Sequence, residues 1–163
     1  MDAIEAIRTR RSIRRFTGDP IPREDLETII DAARLAATGH NNQPWEFVVV
    51  TDPVMLQNVA IRSWMDKSAA VVAVVIDQTA QFWQEDGSAA IQNMLIAVTA
   101  LGYGACWVQG RTRAHEAELK QLLNIPDHLH LMSLVAVGVP DEAPEKEKKS
   151  LDQVLYWETY PTP

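Results

Sequence analysis

Helices alternating with short, wholly apolar strands predict a three-layer sandwich of the α/β or α+β class. Three observations carry this. The runs Phe47-Val48-Val49-Val50 and Ala69 to Ile76 are apolar and largely β-branched, without the alternation of a half-wetted strand, so both faces of their sheet must be covered. Between such runs stand stretches with apolar residues at helical spacing, as at Leu26, Ile29, Ile30 and Ala33. A length of 163 residues, 47% hydrophobic and 23% charged, suits one substantial core. The expectation is a single domain over 1–163, with 141–163 as a tail.

Met1 to Arg8 reads as a short amphipathic helix, with Ile4, Ile7, Ala3 and Ala6 in an apolar helical pattern. Gly18 to Pro22 is a turn, because a glycine and two prolines interrupt any regular element. Pro22 opens a helix with Arg23-Glu24-Asp25 in its first turn, running to about Ala36. Ala37 to Trp45 is a loop of polar and small side chains that leads into a buried strand, Glu46 to Thr51. Asp52-Pro53 begins a helix expected to reach about Trp64, and Ala69 to Ile76 is the second strand.

Asp86 to Leu101 is the longest expected helix, with a small-residue face of Ala89, Ala90, Asn93, Met94, Ala97 and Ala100. Such a face suits either a subunit interface or an ordinary core helix. Gly102-Tyr103-Gly104 ends it, glycine being suited to the left-handed position after a helix. A strand at Ala105 to Val108, a helix over about Ala114 to Leu123 and a strand from His130 to Val139 complete the ordered part. From Asp141 to Ser150 the chain turns charged and proline-bearing. It ends on Val154, Leu155, Tyr156, Trp157 and Tyr160, an apolar stretch that needs another surface, such as a second subunit, to bury against.

A formal net charge of −7 argues against nucleic acid or an anionic membrane surface as the main partner. No apolar run reaches the roughly 18 to 20 residues of a membrane span, and no signal peptide pattern opens the sequence, so a cytoplasmic location is expected. The one cysteine, Cys106, stands in an apolar context that suits packing. The four histidines show no metal-ligand spacing. There is no G-x-S-x-G elbow and no P-loop, and Gly102-x-Gly104 follows a helix rather than a strand, the wrong context for a dinucleotide fingerprint.

Against that acidic background, Arg10, Arg11, Arg14 and Arg15 fall within six positions, around Ser12. A cationic island with a hydroxyl suits an anionic ligand, although basic residues at a helix C-terminus also suit a solvated helix end. With the amide-rich loop, the glycine-bounded third strand and the Lys148-Lys149 pair, the set suits a phosphorylated, planar, hydrogen-bonding cofactor.

Three motifs resemble the FMN-dependent nitroreductase family, and the similarity covers nearly the whole chain. Arg10-Arg11-Ser12-Ile13-Arg14-Arg15-Phe16 is similar to that family's R-[RH]-S-x-[RK]-x-F. Thr38-Gly39-His40-Asn41-Asn42-Gln43-Pro44-Trp45-Glu46-Phe47 resembles its loop ending N-x-Q-P-W-x-F. Leu101-Gly102-Tyr103-Gly104-Ala105 resembles its L-G-x-[GD]-[AST] turn, with Gln109-Gly110 where the family often has Glu-Gly. The resemblance implies an α+β, three-layer α/β/α sandwich with a mixed sheet flanked by helices and a C-terminal tail extending to the partner. It also implies a homodimer with FMN at the subunit interface.

By position, the resemblance assigns Arg10 and Ser12 to the phosphate and Arg14 to the pyrimidine edge, with Arg11 in the same segment. Thr38, Gly39 and Asn41 would pack on the flavin from the other subunit, Gln109 and Gly110 would approach N5 and O4, and Lys148 and Lys149 would complete the phosphate site. NADH or NADPH would be the reductant and nitroaromatics, quinones or related compounds the acceptors, in ping-pong fashion. No acid–base side chain is named and no metal is expected. The alternatives are a non-catalytic flavin-binding protein and a flavin-dependent dehalogenase-like enzyme on the same fold. The family often has Pro-Ser where this chain has Ala37-Thr38, so ring contacts there differ.

Overall fold

A computed structural model describes residues 1–161. Four strands, β1 (Trp45–Val50), β2 (Ala70–Ile76), β3 (Gly104–Val108) and β4 (His130–Gly138), form one sheet in the order β1-β2-β4-β3. All neighbouring pairs are antiparallel, with a bulge on β2 between Val74 and Val75. The sheet is thus antiparallel rather than the mixed sheet that the resemblance implies; among the described residues parallel pairing is confined to an isolated bridge of Ser12 to Ala105, outside the named strands, and a further antiparallel bridge joins Phe16 to Pro140.

Every residue of β2 is buried, and its side chains divide cleanly by the period of two. Val72, Val74 and Ile76 face one core with Val135 and Val137 of β4. There they meet Leu26, Ile29 and Ala33 of α2 (Arg23–Arg34) and Ile91, Met94 and Val98 of α4 (Trp83–Ala100). Val71, Ala73 and Val75 face a second core with Leu134 and Ala136, covered by Leu56 and Val59 of α3 (Pro53–Val59), Met65, and Leu119 of α6 (Glu116–Leu122). Helices on both faces of one sheet give the three layers. α1 (Ala3–Thr9) packs on α4, capped by Asp2, whose carboxylate accepts the Glu5 N–H at 2.9 Å.

Three helices differ from the sequence expectation. α3 stops at Val59 because Ala60 takes a non-helical ψ of 86°, and the following chain turns down to bury Met65 completely. α4 begins at Trp83, three residues before Asp86. α6 answers to the helix expected over about 114–123, and a further helix not foreseen in the sequence, α5 (Gly110–Ala114), precedes it, the two parted at His115 with φ −118°. α5 starts early because the Thr112 hydroxyl donates to the Val108 carbonyl, closing its first turn onto the end of β3.

The tail runs from Asp141 in largely irregular conformation with one short 3-10 turn at Leu151–Gln153, and its apolar residues stand in solvent, Trp157 at 75% and Tyr160 at 78% exposure. Thr162 and Pro163, the end of the expected tail, lie outside the described residues. No helix among the described residues is long and apolar enough to cross a membrane.

Candidate functional site

The arginine segment leaves α1 in extended conformation and is fastened to the sheet by alternate residues. Ile13 and Phe16 are buried in the second core, and the Ile13 N–H donates to the Ala105 carbonyl at 2.9 Å. Gly104 makes room for this, since a Cβ there would lie 2.7 Å from Ile13 Cγ1. Gly138 does the same for the Phe16 ring, also at 2.7 Å. With Ile13 and Phe16 inward, Arg14 and Arg15 are left at the surface. The Arg14 N–H donates to Glu142 at 2.5 Å, and Arg15 Nε to the Asp141 carbonyl at 2.6 Å, which ties the start of the tail to the same segment.

Two clefts flank this segment. The smaller, about 380 Å³, joins Arg14, Gln109 and Gly110 to Arg62, Trp64, Trp107 and Arg111. Three guanidinium groups around one concavity in an acidic chain make an anion-attracting site. The turn at Gln109–Gly110 is held from behind, because the Val108 carbonyl accepts from the hydroxyls of both Ser133, at 3.1 Å, and Thr112. Cys106 forms part of the same wall. Burial pushes its thiol up, against the opposing pull of the Arg14 and Arg10 charges, so it stays protonated and serves as packing.

The larger cleft, about 820 Å³, lies between α1, the C-terminal end of α4 and the tail, and is lined by Arg8, Arg11, Thr99, Tyr103 and Lys148 among others. Arg11 donates to the carbonyls of Arg8 and Arg10, at 2.9 and 2.8 Å, and so closes the end of α1 as a capping cation does. Lys149 is exposed.

Thr38, Gly39 and Asn41 are elsewhere. They sit before β1, the strand farthest across the sheet from β3, which puts roughly 14 Å of sheet between them and the arginine segment at about 4.8 Å per strand. Gly39 is fixed to the opposite end of α4, its N–H donating to Asp86 Oδ1 at 2.9 Å. From Asp86 to Thr99 the helix rises about 20 Å at 1.5 Å per residue. One chain therefore brings Arg14, Gln109 and Gly110 to one cleft, sets Arg11 and Lys148 on the other, and keeps Thr38, Gly39 and Asn41 far away.

Arg62 and Arg111 were not among the residues singled out from sequence. They stand about 50 residues apart in sequence, outside the arginine segment, and only the fold brings them together. Trp64 and Trp107 wall the small cleft, whereas Trp83 packs edge-on against His130, 5.3 Å away. No cluster of metal-ligating side chains occurs among the described residues.

The chemistry of this donor set suits FMN: cations for a phosphate, an aromatic-walled cleft and a fixed backbone turn. The nitroreductase family model matches residues 7–87 and 60–139, a span that takes in the arginine segment, the amide-rich loop and Gln109–Gly110. The chain belongs to the nitroreductase family. A Methanothermobacter thermautotrophicus protein provisionally named NADH dehydrogenase/NAD(P)H nitroreductase is 35% identical over 153 residues, covering 88% of this chain and 80% of its own length. The NADPH-dependent FMN reductase of Bacillus subtilis is 25% identical, over 96% of this chain and 73% of its own. A crystal structure from Desulfovibrio desulfuricans, provisionally named a nitroreductase and in complex with FMN, superposes with a TM-score of 0.83 at 29% identity over 99% of both chains.

Proposed function

We propose that this nitroreductase-family chain is an FMN-dependent oxidoreductase that passes a hydride from NADH or NADPH via flavin to nitroaromatic, quinone or related acceptors. It works as a homodimer with FMN at the subunit interface. The observation that carries this reading is the concavity in which Arg14, Arg62 and Arg111 surround the Gln109–Gly110 turn.

FMN, when bound, supplies the hydride transfer itself. The chain supplies binding and charge. Arg10 and Ser12 hold the phosphate, a guanidinium and a hydroxyl being matched to its oxygens, and Lys148 and Lys149 add charge from the tail. Arg14 would hold the pyrimidine edge, where its fixed cation would offset the negative charge of reduced flavin. The Gln109–Gly110 turn, braced by Ser133 and Thr112, would offer backbone N–H to the ring edge and orient the bound flavin for hydride arrival. No side chain is assigned as a general acid or base. Donor and acceptor would be taken in turn at the same site, which gives the ping-pong kinetics expected.

The distance of Thr38, Gly39 and Asn41 from the arginine segment supports the dimer, because a single chain offers each flavin only half of its contacts. The exposed tail supports it too. Leu151, Val154, Leu155, Tyr156, Trp157 and Tyr160 form an apolar length that the described residues leave exposed, apart from the edge-on packing of Tyr156 on Tyr160. A groove of about 600 Å³ between α2 and the edge strand β1, floored by Ile21, Leu26, Ile30 and Val49, offers a seat for the tail of a second copy. A cytoplasmic location belongs to the same reading, since reduced nicotinamide is supplied there.

Steady-state oxidation of NADH and NADPH with menadione tests the activity. Parallel double-reciprocal lines are expected. A protein that binds FMN without turnover is instead a flavin-binding protein, and one that binds none has another function.

A further inference from the structure

The Asp86 carboxylate is a buried charged group that the flavin contacts above leave unused. It stands in the first turn of α4 and is 4% exposed. Its Oδ1 accepts the Gly39 N–H at 2.9 Å, while Oδ2 has no hydrogen-bond partner among the described residues. A carboxylate shut away from water with one oxygen unpaired is unfavourable, and apolar packing would not select it.

What Asp86 grips is itself strained. Immediately after Gly39, His40 has φ 54°, Asn41 57° and, two positions on, Gln43 46°, a left-handed region that non-glycine residues seldom occupy. The space beside Gly39 is filled by the Phe82 ring, which leaves no room for a Cβ. The Phe82 ring also lies 6.2 Å from the His40 ring. The start of α4 thus holds this loop twice, once by the Asp86 hydrogen bond from its first turn and once by steric contact with Phe82 at its N-cap. Strain of this kind persists only where surrounding structure imposes it, and here the imposing atoms are identified.

We infer that Asp86 is a positioning residue for the flavin site. Through the Gly39 N–H it fixes Thr38, Gly39 and Asn41 in the shape in which they meet the flavin of the other subunit. The inference rests on the assignment of that loop to the flavin proposed above.

The test compares FMN affinity, by fluorescence quenching on the apo-dimer, for wild type, D86A and D86N, alongside the apo-protein thermal midpoint and the visible circular dichroism of the bound flavin. Asparagine keeps an acceptor for the Gly39 N–H and alanine does not. The expected result is FMN binding weakened about tenfold or more in D86A with an altered flavin dichroism, D86N within about threefold of wild type, and little change in the apo-protein midpoint. Should D86A fail to fold, D86E replaces it: the longer side chain displaces the loop and the same weakening is expected.

FMN binding by D86A, or by the D86E stand-in, equal to wild type overturns the inference while leaving the flavin reading intact. So does a loss of affinity that D86N shares and that follows a lowered apo-protein midpoint, which marks Asp86 as a general support of the fold. A wild-type protein that binds no FMN fails the flavin assignment itself, and the inference falls with it.

Discussion

Replacing Gly104 by alanine tests the seam on which the candidate site is mounted. The new Cβ would stand 2.7 Å from Ile13 Cγ1, 2.9 Å from its Cβ and 3.0 Å from its Cγ2. All three lie inside the ~3.5 Å at which carbon atoms attract. All three also belong to the stiff, branched root of the side chain, so no rotation about a distal bond relieves them. Ile13 must move outward, and with it the Ile13 N–H bond to Ala105 and the Ser12 bridge. Overpacking of this kind costs about 1–3 kcal/mol.

Urea unfolding of the apo-protein reads that loss, and FMN titration reads its effect on the neighbouring Arg10, Ser12 and Arg14, where about 1.4 kcal/mol corresponds to tenfold. The cycle with Ile13→Ala makes the reasoning specific. Alone, that change opens a cavity and costs about 2–5 kcal/mol, but it removes Cγ1 and Cγ2, so adding Gly104→Ala to it should cost less than in wild type. Strict additivity of the two, or a G104A protein with native stability and FMN affinity, would refute the placement of this segment against β3.

Arg14→Ala should weaken FMN by about 10- to 100-fold, the loss of one charged hydrogen bond, in a fluorescence titration; an unchanged affinity returns the cluster to a solvated helix end. Removing residues 151–163, which leaves Lys148 and Lys149 in place, should convert the dimer to monomer in sedimentation velocity and release flavin, and retention of both would show the tail to be dispensable. Cys106 should resist Ellman's reagent at pH 8 in the folded protein, because burial holds its thiol protonated. Its folded pKa is raised, so the stability it contributes is complete below the unfolded value of about 8.5 and declines as pH rises beyond it. Cys106→Ala should flatten that alkaline decline in urea midpoints, and an unaltered profile would rule the thiol out as its source.

Much of this architecture is legible in the sequence because its signals are local. Buried strands such as Ala70–Ile76 read as unbroken β-branched runs, and α2 is announced by Pro22, an acidic first turn and a clean apolar face. The failures lie where long-range contact overrides the local pattern. Val54 to Trp64 has helical spacing, yet the chain breaks at Ala60 because Met65 is drawn beneath the second core. α5, which parts from α6 at His115, starts from the end of β3, where the Val108 carbonyl accepts from the Ser133 hydroxyl 25 residues away, a partner invisible to any short window.

The site divides in the same way. Motif similarity picks out Arg14, Gln109 and Gly110, and the fold does gather them. It could not pick out Arg62 and Arg111, which lie outside the matched motifs, or Asp86, which in sequence is merely an acid in the first turn of a helix. The antiparallel order β1-β2-β4-β3 was not legible at all, since strand pairing is set by contacts distant along the chain.

The central claim, a reducible flavin held between two copies of this chain, is tested most directly by the visible spectrum of the purified protein after addition of FMN and removal of excess, before and after anaerobic NADH or NADPH. The expected result is a bound flavin band that bleaches on addition of the nicotinamide. A protein that emerges colourless after incubation with FMN would contradict the account from Arg10 onward.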